Sequence, residues 1–164
     1  MYQRILVPVD GSATSIAGLA EAMKLAKLTG ARLRLMHVID EMPFVFNAEG
    51  YGAMSNDVLS ILRGTGEQVL QHARKLVEDN DIAVDTALFE ELSGRLCDCV
   101  AEQARQWKAD LIVLGTHGRR GMNRMLLGSD AEQILRTASV PVLLVHAAQN
   151  AATAAPPRPA AGIA

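Results

Sequence analysis

Five short aliphatic runs recur along the chain, and longer stretches with helical spacing lie between them. The runs are RILVPV (4–9), ARLRLMHVI (31–39), IAVDTALFE (82–90), ADLIVLG (109–115) and VPVLLVH (140–146). Strands separated in this way cannot pair as tight hairpins, because a parallel neighbour needs a crossover of a dozen or more residues. The order βαβαβαβαβ therefore predicts an α/β fold, a parallel sheet with helices on both faces and right-handed crossovers. In such sheets ligands sit beyond the carboxyl ends of the strands, where the strand order reverses. A flavodoxin-like order and its 3-2-1-4-5 relative both put the first strand beside that point. Either brings VPVDGS (7–12) and GTHGRRG (115–121) to one crevice.

The helical stretches are read from apolar spacing. Ile16, Leu19, Ala20, Met23 and Ala26 mark the first helix, and Gly30 is placed to end it in a left-handed cap. A long helix is expected over 56–80. Leu96, Val100, Ala104 and Trp107 share a face of the next, with Ser93 as the expected N-cap. The last helix, 129–138, opens with Ser129 and Glu132 in a capping-box pattern. Residues 41–55, EMPFVFNAEGYGAMS, break the rhythm. They read either as a lid with an aromatic anchor or as a connector whose aromatics cover the core. The tail 147–164 is rich in Ala and Pro without apolar periodicity and is expected to be disordered. The folded domain is thus expected to span 1–146.

At 164 residues and 49% apolar content, the chain suits one domain with a real core. A net charge of −2 lacks the broad basic footprint of a nucleic-acid-coating domain. No apolar run approaches the ~18 residues of a membrane span. MYQRILVPVD enters a strand pattern at once, with no basic leader or apolar signal core, so a cytoplasmic protein is expected. Cys97 and Cys99, one residue apart, fit neither a zinc knuckle nor a redox pair and are read as reduced structural thiols.

The stretch GTHGRRGMNRMLLGS (115–129) carries the chemistry. Converging backbone amides bind phosphate, and glycine permits the close approach and positive φ this requires. A helix start adds amide donors and a partial positive charge. Gly115 and Gly118 shape the beginning of the loop, Gly128 and Ser129 sit where the next helix starts, and Arg119, Arg120 and Arg124 add charge. The spacing is neither a P-loop nor the dinucleotide fingerprint. The alternative is a glycine-rich turn with a solvated basic patch.

The spacing Gly115-x2-Gly118-x9-Gly128-Ser129 resembles the ATP-binding motif of the universal stress protein family. The opening RILVPVDGS, the second-strand LMHVID and the closing SVPVLLV fit the same family, so that the resemblance covers residues 1–146. It implies a Rossmann-like, adenine nucleotide alpha hydrolase-like sheet of order 3-2-1-4-5. It implies that Pro8, Val9 and Asp10 line the adenosine site, with Val38 offering its backbone to adenine. Gly115, Gly118, Gly128 and Ser129 match phosphate-binding positions. Thr116, His117 and Arg119 lie in the loop, and Asp130 reaches phosphate or metal only indirectly. The resemblance also implies ATP with Mg²⁺ as ligand, a homodimer through 140–146 and a regulatory protein partner of unknown identity; from charge and apolar run length, no nucleic acid or membrane is expected as a partner.

Simpler readings stand beside these. Asp10 can cap the first helix through the Ser12 and Thr14 amides. His117 can be a loop residue without chemistry, and His37 and His72 structural. Asp40 and Glu41 are weaker candidates for ribose hydroxyls. Phosphoryl transfer needs a positioned nucleophile and metal ligands. The loop has no lysine, and no carboxylate pair is evident beside it. The expected activity is a sensor that holds ATP and hydrolyses it slowly or not at all. The alternatives are a weak ATPase or autokinase using Ser129 or Asp10, and a nucleotide-free scaffold.

Overall fold

A computed structural model describes residues 1–40, 56–91, 95–116 and 128–146. The excursion 41–55, Ser93, the loop residues His117, Gly118, Arg119, Arg120 and Arg124, and the tail lie outside the described residues. The elements are β1 (Arg4–Pro8), α1 (Ala13–Thr29), β2 (Arg32–Asp40), α2 (Asn56–Glu78), β3 (Val84–Glu91), α3 (Leu96–Gln106), β4 (Leu111–Gly115), α4 (Ser129–Thr137) and β5 (Val142–Val145).

The strands form one sheet in the order β3-β2-β1-β4-β5, parallel throughout. Central β1 runs in register with β2 from Arg4 opposite Arg32 to Pro8 opposite Met36, and with β4 from Ile5 opposite Leu111. Side chains alternate between faces, as the pleat requires. Ile5, Val7, Leu33, Leu35, Leu111 and Val113 pack on one face with α1 and α2 residues such as Leu19 and Val77. Leu6, Met36, Ile112 and Leu114 pack on the other with Val100, Ala104 and Ile134 of α3 and α4. Each fully buried aliphatic contributes roughly 1.5–3 kcal/mol, so the two layers on β1 and β4 fix the centre of the sheet. At the amino end of the sheet, Asp110 accepts from the Gln3 and Arg4 amides at 2.7 and 3.1 Å, and Arg34 lies 4.9 Å over the Trp107 ring.

Three local expectations shift. The buried stripe of α1 is Ser15, Gly18, Leu19, Ala22 and Ala26, while Ile16 and Met23 are half-buried and Ala20 is exposed. Small residues take the sheet-facing positions because α1 must approach β4 closely, so the bulkier apolar spacing misleads. Second, α3 starts at Leu96 with Arg95 as its N-cap, later than a Ser93 cap would set it. Third, α4 is capped by Gly128, in extended conformation at φ −60° and ψ 147°, and not by Ser129, which is already helical. The reason is tertiary: the Gly128 amide donates to the Thr116 carbonyl at 2.9 Å, and the Gly128 carbonyl then accepts the first helical bond from Glu132. Gly30, by contrast, ends α1 at φ +70° as expected, donating to Ala26.

Candidate functional site

The carboxyl ends of β1 and β4 lie side by side, and the start of α1 sits directly on β4. A methyl group added at Gly115 would come within 2.5 Å of the Thr14 carbonyl carbon and 2.9 Å of the Ser15 nitrogen. From the helix side, a methyl at Gly18 would stand 3.1 Å from the Gly115 nitrogen. Two glycines therefore let backbone meet backbone. This contact brings the β1–α1 turn and the end of β4 to one crevice, as the topology predicts.

The β1 side of the crevice is tightly tied. Val9 is buried; its amide donates to Met36 O at 2.8 Å, and its carbonyl accepts from His37 Nδ1 at 2.7 Å. A carbonyl can only accept, so Nδ1 carries the proton. His37 is thus a buried structural clamp between β1 and β2, as the simpler reading expected. Pro8 and Asp10 on either side are half-buried. Asp10 Oδ1 accepts from the Ser12 amide at 2.9 Å across Gly11, which takes φ +78°. Ser12 is the actual N-cap of α1, accepting from the Ser15 amide at 3.2 Å while Ser15 Oγ donates back to Ser12 O at 3.0 Å. Asp10 therefore shapes the turn ahead of the helix and leaves the capping to Ser12. Half-buried Val38 lies on β2 just past the end of the β1 register, opposite Phe89 of β3.

The β4 side is organised by Thr116. Its side chain is 1% exposed. Its amide donates to Val145 O at 3.0 Å, its carbonyl accepts from the Gly128 amide at 2.9 Å, and its hydroxyl lies 3.0 Å from His146 Nδ1. The two ends of the 117–127 segment are thereby joined at one neck. The Thr116 side chain points into the protein, whereas Ser129 and Asp130 are exposed in the first turn of α4. Gly128, having no side chain, leaves the start of that helix without a side-chain cap. The structure thus brings together Pro8, Val9, Asp10, Gly115, Gly128, Ser129 and Asp130 around one end of the sheet. His117, Gly118 and Arg119 fall in the undescribed segment between them.

Residue-by-residue reading missed the Ser12–Ser15 reciprocal cap, although Ser-x-x-Ser after Asp-Gly carries that signal. It also missed the His146–Thr116 pair, for which a histidine directly after an edge strand is a weak cue. Glu90, near the end of β3, is held below its ordinary pKa by its hydrogen bond to Arg63 of α2, despite the opposing effect of burial. Burial pushes the Cys97 thiol up, with the Asp98 charge adding to the effect. Cys97 is buried and Cys99 half-buried. Among the described residues no group of three His, Cys, Asp or Glu converges as a metal cluster, and no helix is long and apolar enough to cross a membrane. A groove of about 310 Å³ opens between α1 and α2, lined by Gly11, Ile16, Thr65, Gln68, Val69 and His72. It shares none of the binding residues expected from the sequence.

The model of the universal stress protein family matches residues 1–146. The universal stress protein MJ0531 of Methanocaldococcus jannaschii is 36% identical over 146 residues, covering 88% of this chain and 82% of that protein. A crystal structure of a universal stress protein family member from Burkholderia pseudomallei is 32% identical, covers 88% of this chain and 96% of its own, and superposes with a TM-score of 0.70. The structure of MJ0577 reaches a TM-score of 0.76 at 26% identity, covering 89% and 96%. Three more distant members, which share the fold at 12–22% identity, are complexes: one from Arabidopsis thaliana with AMP, one from Archaeoglobus fulgidus with dAMP, and one with cAMP.

Proposed function

The chain belongs to the universal stress protein family, and from that premise we propose that it is an ATP-binding regulatory protein that holds its nucleotide in the β1–β4 crevice. The observation that carries this reading is the backbone contact of Gly115 with Thr14 and Ser15, which sets the start of α1 against the carboxyl end of β4. Relatives holding AMP, dAMP and cAMP support an adenine nucleotide in general. The full Gly115-x2-Gly118-x9-Gly128-Ser129 spacing favours one with a polyphosphate.

Pro8, Val9, Asp10 and the Val38 backbone then take the adenosine end. Gly118, His117 and Arg119 meet the phosphates from the loop, and Gly128 and Ser129 from the start of α4, where amides and dipole favour an anion. Gly115 serves by allowing close packing, and Thr116 by closing the neck beneath. A glycine cap without a side chain suits this use. A Mg²⁺ ion accompanying the phosphates would supply charge neutralisation there, and exposed Asp130 would hold it only indirectly. Asp10, the best candidate base on sequence grounds, is engaged with the Ser12 amide at 2.9 Å, which favours holding ATP over spending it. Residues 1–146 form the working domain, acting as a cytoplasmic homodimer through edge strand β5, whose four residues are all half-buried.

Thermal unfolding with and without ATP·Mg²⁺ tests the reading. Ligand at 100 times Kd adds roughly 2.7 kcal/mol, a clear rise in Tm. Gly118→Val, which puts a β-branched side chain in the phosphate path, should fold and lose that rise. An unchanged Tm for the wild type at millimolar ATP would refute the reading.

A further inference from the structure

We propose that His146 is a positioning residue for the start of α4, at Gly128 and Ser129, acting through Thr116. It has this role only if the crevice holds a nucleotide, as proposed above. Thr116 follows the last residue of β4 and Gly128 precedes the first of α4, and the two are joined directly by the Gly128 amide and the Thr116 carbonyl at 2.9 Å. The direction of that carbonyl therefore sets where α4 begins and where its first amides point. Thr116 is in turn held to β5 twice, by its amide to Val145 O and by its buried hydroxyl to His146 Nδ1, both at 3.0 Å.

The two bonds differ in kind. The amide bond continues the β4–β5 ladder and depends on no side chain. The hydroxyl bond depends on the histidine, which stands just past the end of β5 and is itself exposed. An imidazole there pins the Thr116 side chain, and with it the peptide that accepts from Gly128. The adenosine end is built elsewhere, by Val9 tied to Met36 and His37. In the sheet order, that end lies at β1 and β2, and β4 stands between β1 and β5. Loss of the His146 ring should therefore loosen the grip on phosphate and leave the grip on adenosine.

Calorimetric titration of ATP·Mg²⁺ and of adenosine into wild type, His146→Ala, His146→Asn and Thr116→Val tests this. A hydrogen bond of this class is worth a ~3- to 10-fold change in Kd. His146→Ala should weaken ATP by that factor and change adenosine less than about twofold. His146→Asn, whose side-chain amide nitrogen takes the place of Nδ1, should bring ATP affinity back to within about twofold of wild type. Thr116→Val should lose ATP affinity as His146→Ala does, and the double variant should lose no more. Equal weakening of both ligands in His146→Ala, unchanged ATP affinity, or an Asn variant no better than Ala would each overturn the assignment while wild-type binding stands. A wild type that binds no ATP would overturn the nucleotide reading and this one with it.

Discussion

Gly115→Ala should destabilise the protein sharply although it adds one methyl group. The new Cβ would lie 2.5 Å from the Thr14 carbonyl carbon and 2.9 Å from the Ser15 nitrogen, where ordinary contact begins at 3.4 Å. These are backbone atoms of the first turn of α1 and cannot swing aside. The helix start must move by about 1 Å, and overpacking of this kind costs ~1–3 kcal/mol. The same turn carries the Ser12 cap and the Asp10–Ser12 bond, and a cap is worth about 1 kcal/mol. The expected loss is therefore ~2–4 kcal/mol. Urea unfolding with an unchanged m-value measures it. Gly64→Ala is the matched control: nothing lies within 4 Å of its added methyl, inside α2. It should stabilise by up to ~1 kcal/mol through helix propensity. A Gly115→Ala loss below about 0.5 kcal/mol, no larger than an ordinary surface change, would refute the close-packing account of the crevice.

In native protein, a thiol reagent should label Cys99 well before Cys97, which is buried, holds its proton more tightly and contacts Gln133 of α4; a Cys97 that reacts in native protein as fast as in denaturant would contradict the burial. The Glu90 pKa is depressed below 4.5 by Arg63, so the stability this pair adds is present above that pH and lost as pH falls through the folded value. Glu90→Gln should thus cost no more than the ~0–1 kcal/mol of an exposed pair at pH 7, and the difference from wild type should vanish in acid unfolding curves below the ordinary carboxylate range. Sedimentation equilibrium should report twice the mass of the chain at micromolar concentration, and a monomer there would remove β5 as the dimer edge.

The sheet was legible because parallel strands and crossover helices leave a coarse periodic trace, and because the glycine spacing and the strand motifs of the family point to one strand order. What escaped is set by contacts between distant residues. The stripe of α1 follows the approach of Gly18 to Gly115, which no local spacing encodes. The α4 cap moved to Gly128 because Thr116, twelve residues earlier, draws in its amide. Thr116 reads as a loop residue next to His117, yet its hydroxyl is buried against His146, thirty residues on. Asp10 illustrates the intermediate case: its place at the crevice followed from topology, while its bond to the Ser12 amide required the actual turn.

Equilibrium dialysis of the purified protein against radiolabelled ATP with Mg²⁺, with the protein-side label resolved into ATP and ADP after several hours, tests the central claim most directly. The account predicts saturable binding with the label still ATP. Saturable binding with the label converted to ADP, at a rate following protein concentration, would contradict the holder and make the crevice catalytic. No saturable binding would contradict the nucleotide site itself.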